Sequence, residues 1–554
     1  LRGRLYNTMF DTSKVMRYDE IIEPLLEIRS VLIEKYHKLY LKDLDYLIDK
    51  VKIFKTHFAT LDIRQDHSVH TQVVEAILKT NGLISENIGE LNKQELIDIL
   101  IHKDIDLQVQ NYEEDIVKET IQNILQLRGI QEKNGEEGCN RYVISNSESV
   151  FSVLFVYGLF RWCGWESDKI TFDIIPLFET MKGMESSENT MNELFDLPEY
   201  KKHLAQRHNK QTIMLGFSDG TKDGGYVKAN WEIFKTKEKL SAVCDRNDIK
   251  AIFFDGRGGP PARGGGKTHR FYAAQTKDIA NNEIQLTIQG QTITSTYGTK
   301  EQFIHNSEQL LTAGLSNNFF GKENVISKES RQLLEELSDL SFEKYDALKN
   351  HDKFIAYLEN KSTLKYYQKA NIGSRPGKRG HKKKLELTDL RAISFVGSWS
   401  QLKQNVPGYF GIGTAIKILK DQGKLEDLKK LFKEVPLFKA LMLNSMMSLA
   451  KCYFELTSYM KDDVEYGEFW NILYEEYLLS KEMLLLISDS KILMEKESVS
   501  RESVKIRENI VLPLLVIQQF ALQQMSKETE YKELYEKIVI RSLYGNINAS
   551  RNSA

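Results

Sequence analysis

The chain has 554 residues, 41% hydrophobic and 28% charged, which are globular proportions and exclude a disordered or fibrous protein. Its net charge is −2, so no overall polycation invites nucleic acid, and any affinity for anions must come from local clusters of basic residues. The four cysteines, Cys139, Cys163, Cys244 and Cys452, lie far apart without metal or disulfide spacing, which points to a reducing cytosol and a cytoplasmic protein.

The chain opens on Leu1 in the middle of a helical pattern, and reads as a piece of a longer protein without a signal peptide. Residues 1–56 carry apolar positions three and four apart, the spacing of helices leading into a second region. His57 to Ile63 reads as a strand ending in Arg64-Gln65-Asp66, followed by an acidic helical stretch to about residue 136. The next strands are Arg141–Asn146, Thr171–Phe178, Thr212–Phe217, Ile249–Phe254 and Ile284–Ile288. Helices are predicted at 149–163 and 226–243. The apolar run from Val150 to Phe160 and a later one from Ile510 to Ile517 are too short to span a membrane. From residue 301 the pattern is almost wholly helical, broken by the basic, glycine-rich stretch 371–384, which reads as a mobile loop, and ending in a small polar tail after 546.

Short buried strands alternate with helices, and polar residues collect just past the C-terminal end of each strand. That is the arrangement of an α/β protein, here predominantly helical; an open doubly wound sheet would also place ligands at its strand ends, and the expected fold is a (β/α) TIM-type barrel elaborated by many additional helices. The expected division is a helical lead-in over 1–56, a barrel with most site loops over 57–300, and a helical region over 301–554.

The loop after the fifth strand, Phe254 to His269, holds six glycines and two arginines. Glycine permits close backbone approach to a ligand, and arginine offers a planar fork for carboxylate or phosphate. A Walker-type phosphate loop is a poor match, because Pro260 and Pro261 remove backbone donors it would need. Glu179 and Asp219 each end a strand and together could make a hard oxygen site for Mg²⁺ or Mn²⁺, although such acids are more often helix caps or surface ion pairs. Lys222 sits one turn after Asp219 and could hold an anion. Arg64, Arg257, Arg263, Arg375 and Arg391 would stabilise a phosphoryl group if they converge, and would be structural ion pairs if they do not. His67 and His70, three apart, read as one wet helix face rather than a ligand pair. No Ser/His/Asp or Cys/His nucleophile pattern stands out.

These blocks together resemble phosphoenolpyruvate carboxylase. The glycine loop Phe254-Asp-Gly-Arg-Gly-Gly through Arg263-Gly-Gly matches the family's F-H-G-R-G-G-x-x-x-R-G-G, and Gly216-Phe-Ser-Asp-Gly-Thr-Lys-Asp-Gly-Gly225 matches its G-Y-S-D-S-x-K-D-A-G. Asp62–Gln65, Pro176–Thr180, Gly373–Arg379 and Leu390–Ile393 follow the family's remaining blocks in order. The resemblance implies a lyase that converts phosphoenolpyruvate and bicarbonate to oxaloacetate and phosphate through carboxyphosphate and an enolate. Glu179 and Asp219 would hold the metal. Arg64, Arg257 and Arg391, with Gly258 and Gly259, would contact the substrate phosphate region. Lys222 and Arg263 would serve bicarbonate or carboxyphosphate, and Arg375 would lie on the loop near the site. Lys451, Arg507, Arg263 and Asn552 stand where the family binds an inhibitory dicarboxylate, aspartate or malate. The family also implies a homotetramer. The chain corresponds to the C-terminal two-thirds of such an enzyme, lacks its T-A-H-P-T-E histidine motif, and is expected to be inactive alone. Asp255 stands where the glycine loop commonly has histidine, and Gln291 where a glutamate is common. The alternative is a non-catalytic regulatory relative that keeps the phosphate and acid sites.

Overall fold

The computed structural model describes every residue except 12, 280–282, 289, 320–323, 370–386, 388–389, 528–529 and 551–554. The basic loop 371–384, Arg375 and Asn552 therefore lie outside the described residues. Six strands are described: β1 (Asp62–Asp66), β2 (Arg141–Ser145), β3 (Asp173–Phe178), β4 (Lys210–Leu215), β5 (Lys250–Asp255) and β6 (Ile284–Leu286). They follow one another in sequence order in a curled, all-parallel sheet, a half-barrel among the described residues. This is the α/β, helix-rich class that the alternation of strands and helices predicted. Parallel strands need both faces covered, and the runs Tyr142-Val143-Ile144 and Ile252-Phe253-Phe254 are buried accordingly.

The chain packs as two compact units. The first comprises 1–178, 189–214 and 244–251. In it Asp62 pairs with Arg141 and Arg64 with Val143 across β1 and β2, while Arg141 pairs with Asp173 across β2 and β3. The helix Val150–Trp162 is buried along almost its whole length. A Cβ on its Gly158 would lie 2.9 Å from the Leu100 side chain, so the glycine allows this helix to close onto Lys93–His102. β1 starts later than predicted, at Asp62, because residues 57–60 form a turn in which Phe58 has a positive φ. The His67/His70 expectation is corrected here: His70 is fully buried, its Nε2 lies 3.0 Å from the Tyr142 hydroxyl, and burial pushes its pKa down to about 3.

The second unit comprises 179–188, 215–243 and 252–554. Its aromatic core gathers Phe354, Tyr357, Trp399, Phe469 and Trp470. The first residues of the small polar tail, 546–550, are helical. The helix Lys532–Ser550 runs on, and buried Asn546 donates to Gln401 Oε1 at 3.1 Å.

Candidate active site

Glu179 follows β3 and is 5% exposed. It is overlain by Gly216, the residue before the helix Phe217–Gly224: a Cβ there would sit 2.3 Å from the Glu179 Cβ. Only glycine permits that approach, and it carries the first turn of the helix, with Asp219, over Glu179. One turn on, Lys222 Nζ lies 3.5 Å from Asp219 Oδ1 and donates to the Leu390 carbonyl at 2.9 Å. The Lys222 carbonyl in turn accepts from the Tyr345 hydroxyl at 2.9 Å. Lys222 thereby ties the helix to the residue preceding Arg391, which caps the helix Ala392–Gln401.

The glycine loop folds back on itself. Gly264 and Gly266 have φ of +74° and +109°, and a Cβ on Gly265 would lie 2.0 Å from the Gly258 carbonyl oxygen. Ser218 donates to the Arg263 carbonyl at 3.2 Å, which docks the loop on the Asp219 helix. Arg263 is 4% exposed. Burial lowers its pKa to about 10, and the charge of nearby Asp219 opposes that fall, so it remains a cation at neutral pH. The sequence-predicted residues that converge are thus Glu179, Asp219, Lys222, Arg263 and the Leu390–Arg391 segment, with Gly258 packed under Arg263.

Arg257 does something the sequence did not suggest. Its Nε and Nη2 donate to the Gly264 and Gly265 carbonyls, both at 3.1 Å, and its guanidinium lies 4.1 Å from the Phe271 ring centroid. Two of its donor positions brace the loop, while Nη1 has no hydrogen-bond partner. Asp255 is also explained. It ends β5, is fully buried, and accepts from Lys237 Nζ at 2.8 Å and from the Tyr272 hydroxyl at 2.5 Å. No periodicity could have matched Lys237, in the middle of the helix Tyr226–Arg246, to this carboxylate. Arg64 belongs to the first unit, where it pairs with Asp62 at 3.0 Å.

Of the four residues expected to bind a dicarboxylate, Lys451 and Arg507 line one cavity of about 40 Å³, and Arg263 is not among its lining residues. Sequence reasoning missed two others there: Lys403, 5% exposed, and Glu508, paired to it at 2.7 Å. Lys451 caps the C-terminus of the helix Pro436–Ala450, a favourable place for a cation. Burial, and then the charges of Lys403 and Arg507, push its pKa down to about 8.

A family model described as phosphoenolpyruvate carboxylase matches residues 5–550. The chain belongs to the phosphoenolpyruvate carboxylase family. It is 29% identical to a phosphoenolpyruvate carboxylase of Corynebacterium glutamicum over 557 residues, covering 97% of this chain and 60% of the relative. It is 31% identical to that of Nitrosomonas eutropha (strain DSM 101675 / C91 / Nm57) over 509 residues, 88% of this chain and 54% of the relative. The chain thus spans somewhat over half the length of these two carboxylases. All four cysteines are free, and no described helix is long and apolar enough to cross a membrane.

Proposed function

We propose that this chain carries the substrate-binding and carboxylation face of a phosphoenolpyruvate carboxylase, acting on phosphoenolpyruvate and bicarbonate. The observation that carries the reading is the meeting of Glu179, Asp219, Lys222 and Arg263 around one short helix: two carboxylates and two cations on a shared wall.

Glu179 and Asp219 suit a hard divalent cation, Mg²⁺ or Mn²⁺, since both donors are carboxylate oxygens and Glu179 is almost fully enclosed. Among the described residues no group of three or more His, Cys, Asp or Glu gathers, so substrate and water oxygens would complete the shell. Bound there, the ion would stabilise negative charge on substrate oxygens. In the reaction, a bicarbonate oxygen attacks phosphorus and the bond to the enol oxygen breaks, giving carboxyphosphate and the enolate of pyruvate. Carboxyphosphate then splits to carbon dioxide and phosphate, and C3 of the enolate attacks the carbon dioxide to give oxaloacetate. Lys222 and Arg263 hold the bicarbonate and carboxyphosphate oxygens. Arg391 and the free fork position of Arg257 hold the phosphoryl group, with the backbone at Gly258 and Gly259 beside it. Arg375 serves from the basic loop. Lys451, Arg507 and Arg263, with Asn552, form a site for an inhibitory dicarboxylate.

The histidine of the family's T-A-H-P-T-E motif is absent from this sequence. The chain alone is therefore expected to bind phosphoenolpyruvate in a Mg²⁺-dependent way and to make little oxaloacetate. Calorimetric binding with and without EDTA, using Glu179→Ala as control, tests the first expectation. An assay coupled to malate dehydrogenase tests the second. Metal-independent binding that Glu179→Ala leaves unchanged would overturn the active-site reading and favour the purely regulatory one. Brisk oxaloacetate formation would overturn the expected inactivity.

A further inference from the structure

The glycine loop ends at Gly266, and the next residue, Lys267, opens the short helix Thr268–Ala273. Lys267 and Arg270 share one carboxylate. Lys267 Nζ donates to Glu497 Oε2 at 2.6 Å, and Arg270 Nη2 donates to Glu497 Oε1 at 2.5 Å. Each oxygen of Glu497 thus holds one cation through a charge-assisted hydrogen bond. The Glu497 side chain is 13% exposed, and it lies 230 residues beyond Lys267 in the chain. Its own position is fixed from both sides. The Glu497 amide donates to the Met494 carbonyl at 2.9 Å, and the Glu497 carbonyl accepts from the Arg501 amide at 2.9 Å as the helix Ser498–Met525 begins. Met494 is buried with a φ of +57°, an angle that costs a non-glycine residue energy and persists only where packing dictates it.

What Glu497 holds is connected to the arginines of the loop. The Arg270 and Phe271 amides both donate to the Lys267 carbonyl, at 3.2 and 3.3 Å, so these residues form one turn. The Phe271 ring carries the Arg257 guanidinium on its face and meets Phe217 edge-on, with ring centroids 5.4 Å apart. On another side, Asn444 donates to the Gly265 carbonyl at 3.1 Å. Inside the loop a few backbone bonds remain, such as the Gly258 amide to the Arg263 carbonyl at 3.2 Å and the Gly264 amide to the Pro261 carbonyl at 2.8 Å. A glycine-rich segment loses much conformational freedom when it takes one shape, so its outer anchors decide how well that shape is kept.

We propose that Glu497 is a positioning residue for the glycine loop: by clamping Lys267 and Arg270 together it fixes Phe271 beneath Arg257, and so keeps the loop in the shape that receives the substrate phosphate. This rests on the reading of the loop as a wall of the phosphoenolpyruvate site. Glu497 acts through the turn it grips and not on the substrate. Without its charge, Lys267 and Arg270 are like charges on one turn, and both side chains already reach solvent, at 36% and 37% exposed. They would separate into water, and the turn beneath Arg257 would loosen.

The test compares the full chain with its Glu497→Gln variant in two measurements. Hydrogen exchange, read on peptides covering 256–273, should speed up about tenfold in the variant, the scale of one hydrogen bond to a charged group, while the strands exchange as in wild type. Calorimetric titration with phosphoenolpyruvate and Mg²⁺ should show binding weakened by about the same factor. Unchanged loop exchange overturns the proposal, and so does exchange that rises equally throughout the chain, which would make Glu497 a general stabiliser. Faster loop exchange with unchanged phosphoenolpyruvate affinity also overturns it, since the loop would then be held for some other reason. If the wild type shows no Mg²⁺-dependent binding, the active-site reading fails, and the exchange comparison still decides whether Glu497 holds the loop. Should Glu497→Gln not fold, the double variant Lys267→Gln with Arg270→Gln removes the clamp from its more exposed side. It must then reproduce the selective loosening of 256–273, and wild-type exchange there would overturn the proposal.

Discussion

The burial of Asp255 and Lys237 makes a strong statement about a single residue. Their side chains are 0% and 1% exposed and 2.8 Å apart. Removing one member of such a pair leaves an uncompensated buried charge, a loss of about 3–5 kcal/mol. Asp255→Asn should lower stability by that order in urea denaturation. Asp255→Asn combined with Lys237→Met should recover much of it, and additive losses would show that the pair is not coupled. Lys451 supports a second prediction, on pH. Its pKa is lowered to about 8 by burial and by Lys403 and Arg507, with Glu508 opposing. The charged form attracts a diacid, so affinity should be full near pH 7 and fall as pH rises above 8, approaching tenfold per unit. Malate titrations between pH 7 and 9.5 read this directly, and a flat profile would exclude Lys451 as a ligand. Neither Lys237 nor Glu508 was singled out from the sequence, because each matters through a partner distant in the chain.

Among the elements, the glycine loop and the helix Phe217–Gly224 behave as one piece, pinned at several points. Ser218 holds the Arg263 carbonyl, and a Cβ on Gly264 would lie 2.7 Å from the Phe217 Cβ. Gly265→Ala would drive a methyl against the Gly258 and Gly259 carbonyls, which are backbone and have little room to yield. A loss of about 1–3 kcal/mol is expected, visible as a lower denaturation midpoint. Gly216→Ala should act differently. Its methyl would meet the Glu179 Cβ at 2.3 Å and separate Glu179 from Asp219, so Mg²⁺-dependent phosphoenolpyruvate binding should fall at least tenfold. Retained binding affinity in Gly216→Ala would show that the two carboxylates do not act together. The glycine clusters were legible in the sequence as sites of close approach. What they approach was not: Arg257 was expected to face the substrate, and two of its three fork nitrogens brace the loop.

For the whole molecule, residue pattern by itself determined the class. Buried runs such as Ile252-Phe253-Phe254, recurring between helical stretches and each followed by polar residues, leave few options besides a parallel sheet with sites at its C-terminal edge. The ordered motif blocks determined the family, since the spacing of short, chemically specific segments survives where overall identity is 29–31%. Tertiary structure decided everything that depends on which distant residues meet. It set β1 to begin at Asp62, buried His70 against Tyr142, and carried the last helix through Asn546. It also paired Asp255 with Lys237, and placed Glu508 and Lys403 beside Lys451. The physical reason is one of range. Helical and strand periodicity reports which face of an element is buried, a property of neighbours in the chain. Ion pairs and close backbone contacts join residues tens to hundreds of positions apart, and only the packed fold selects them.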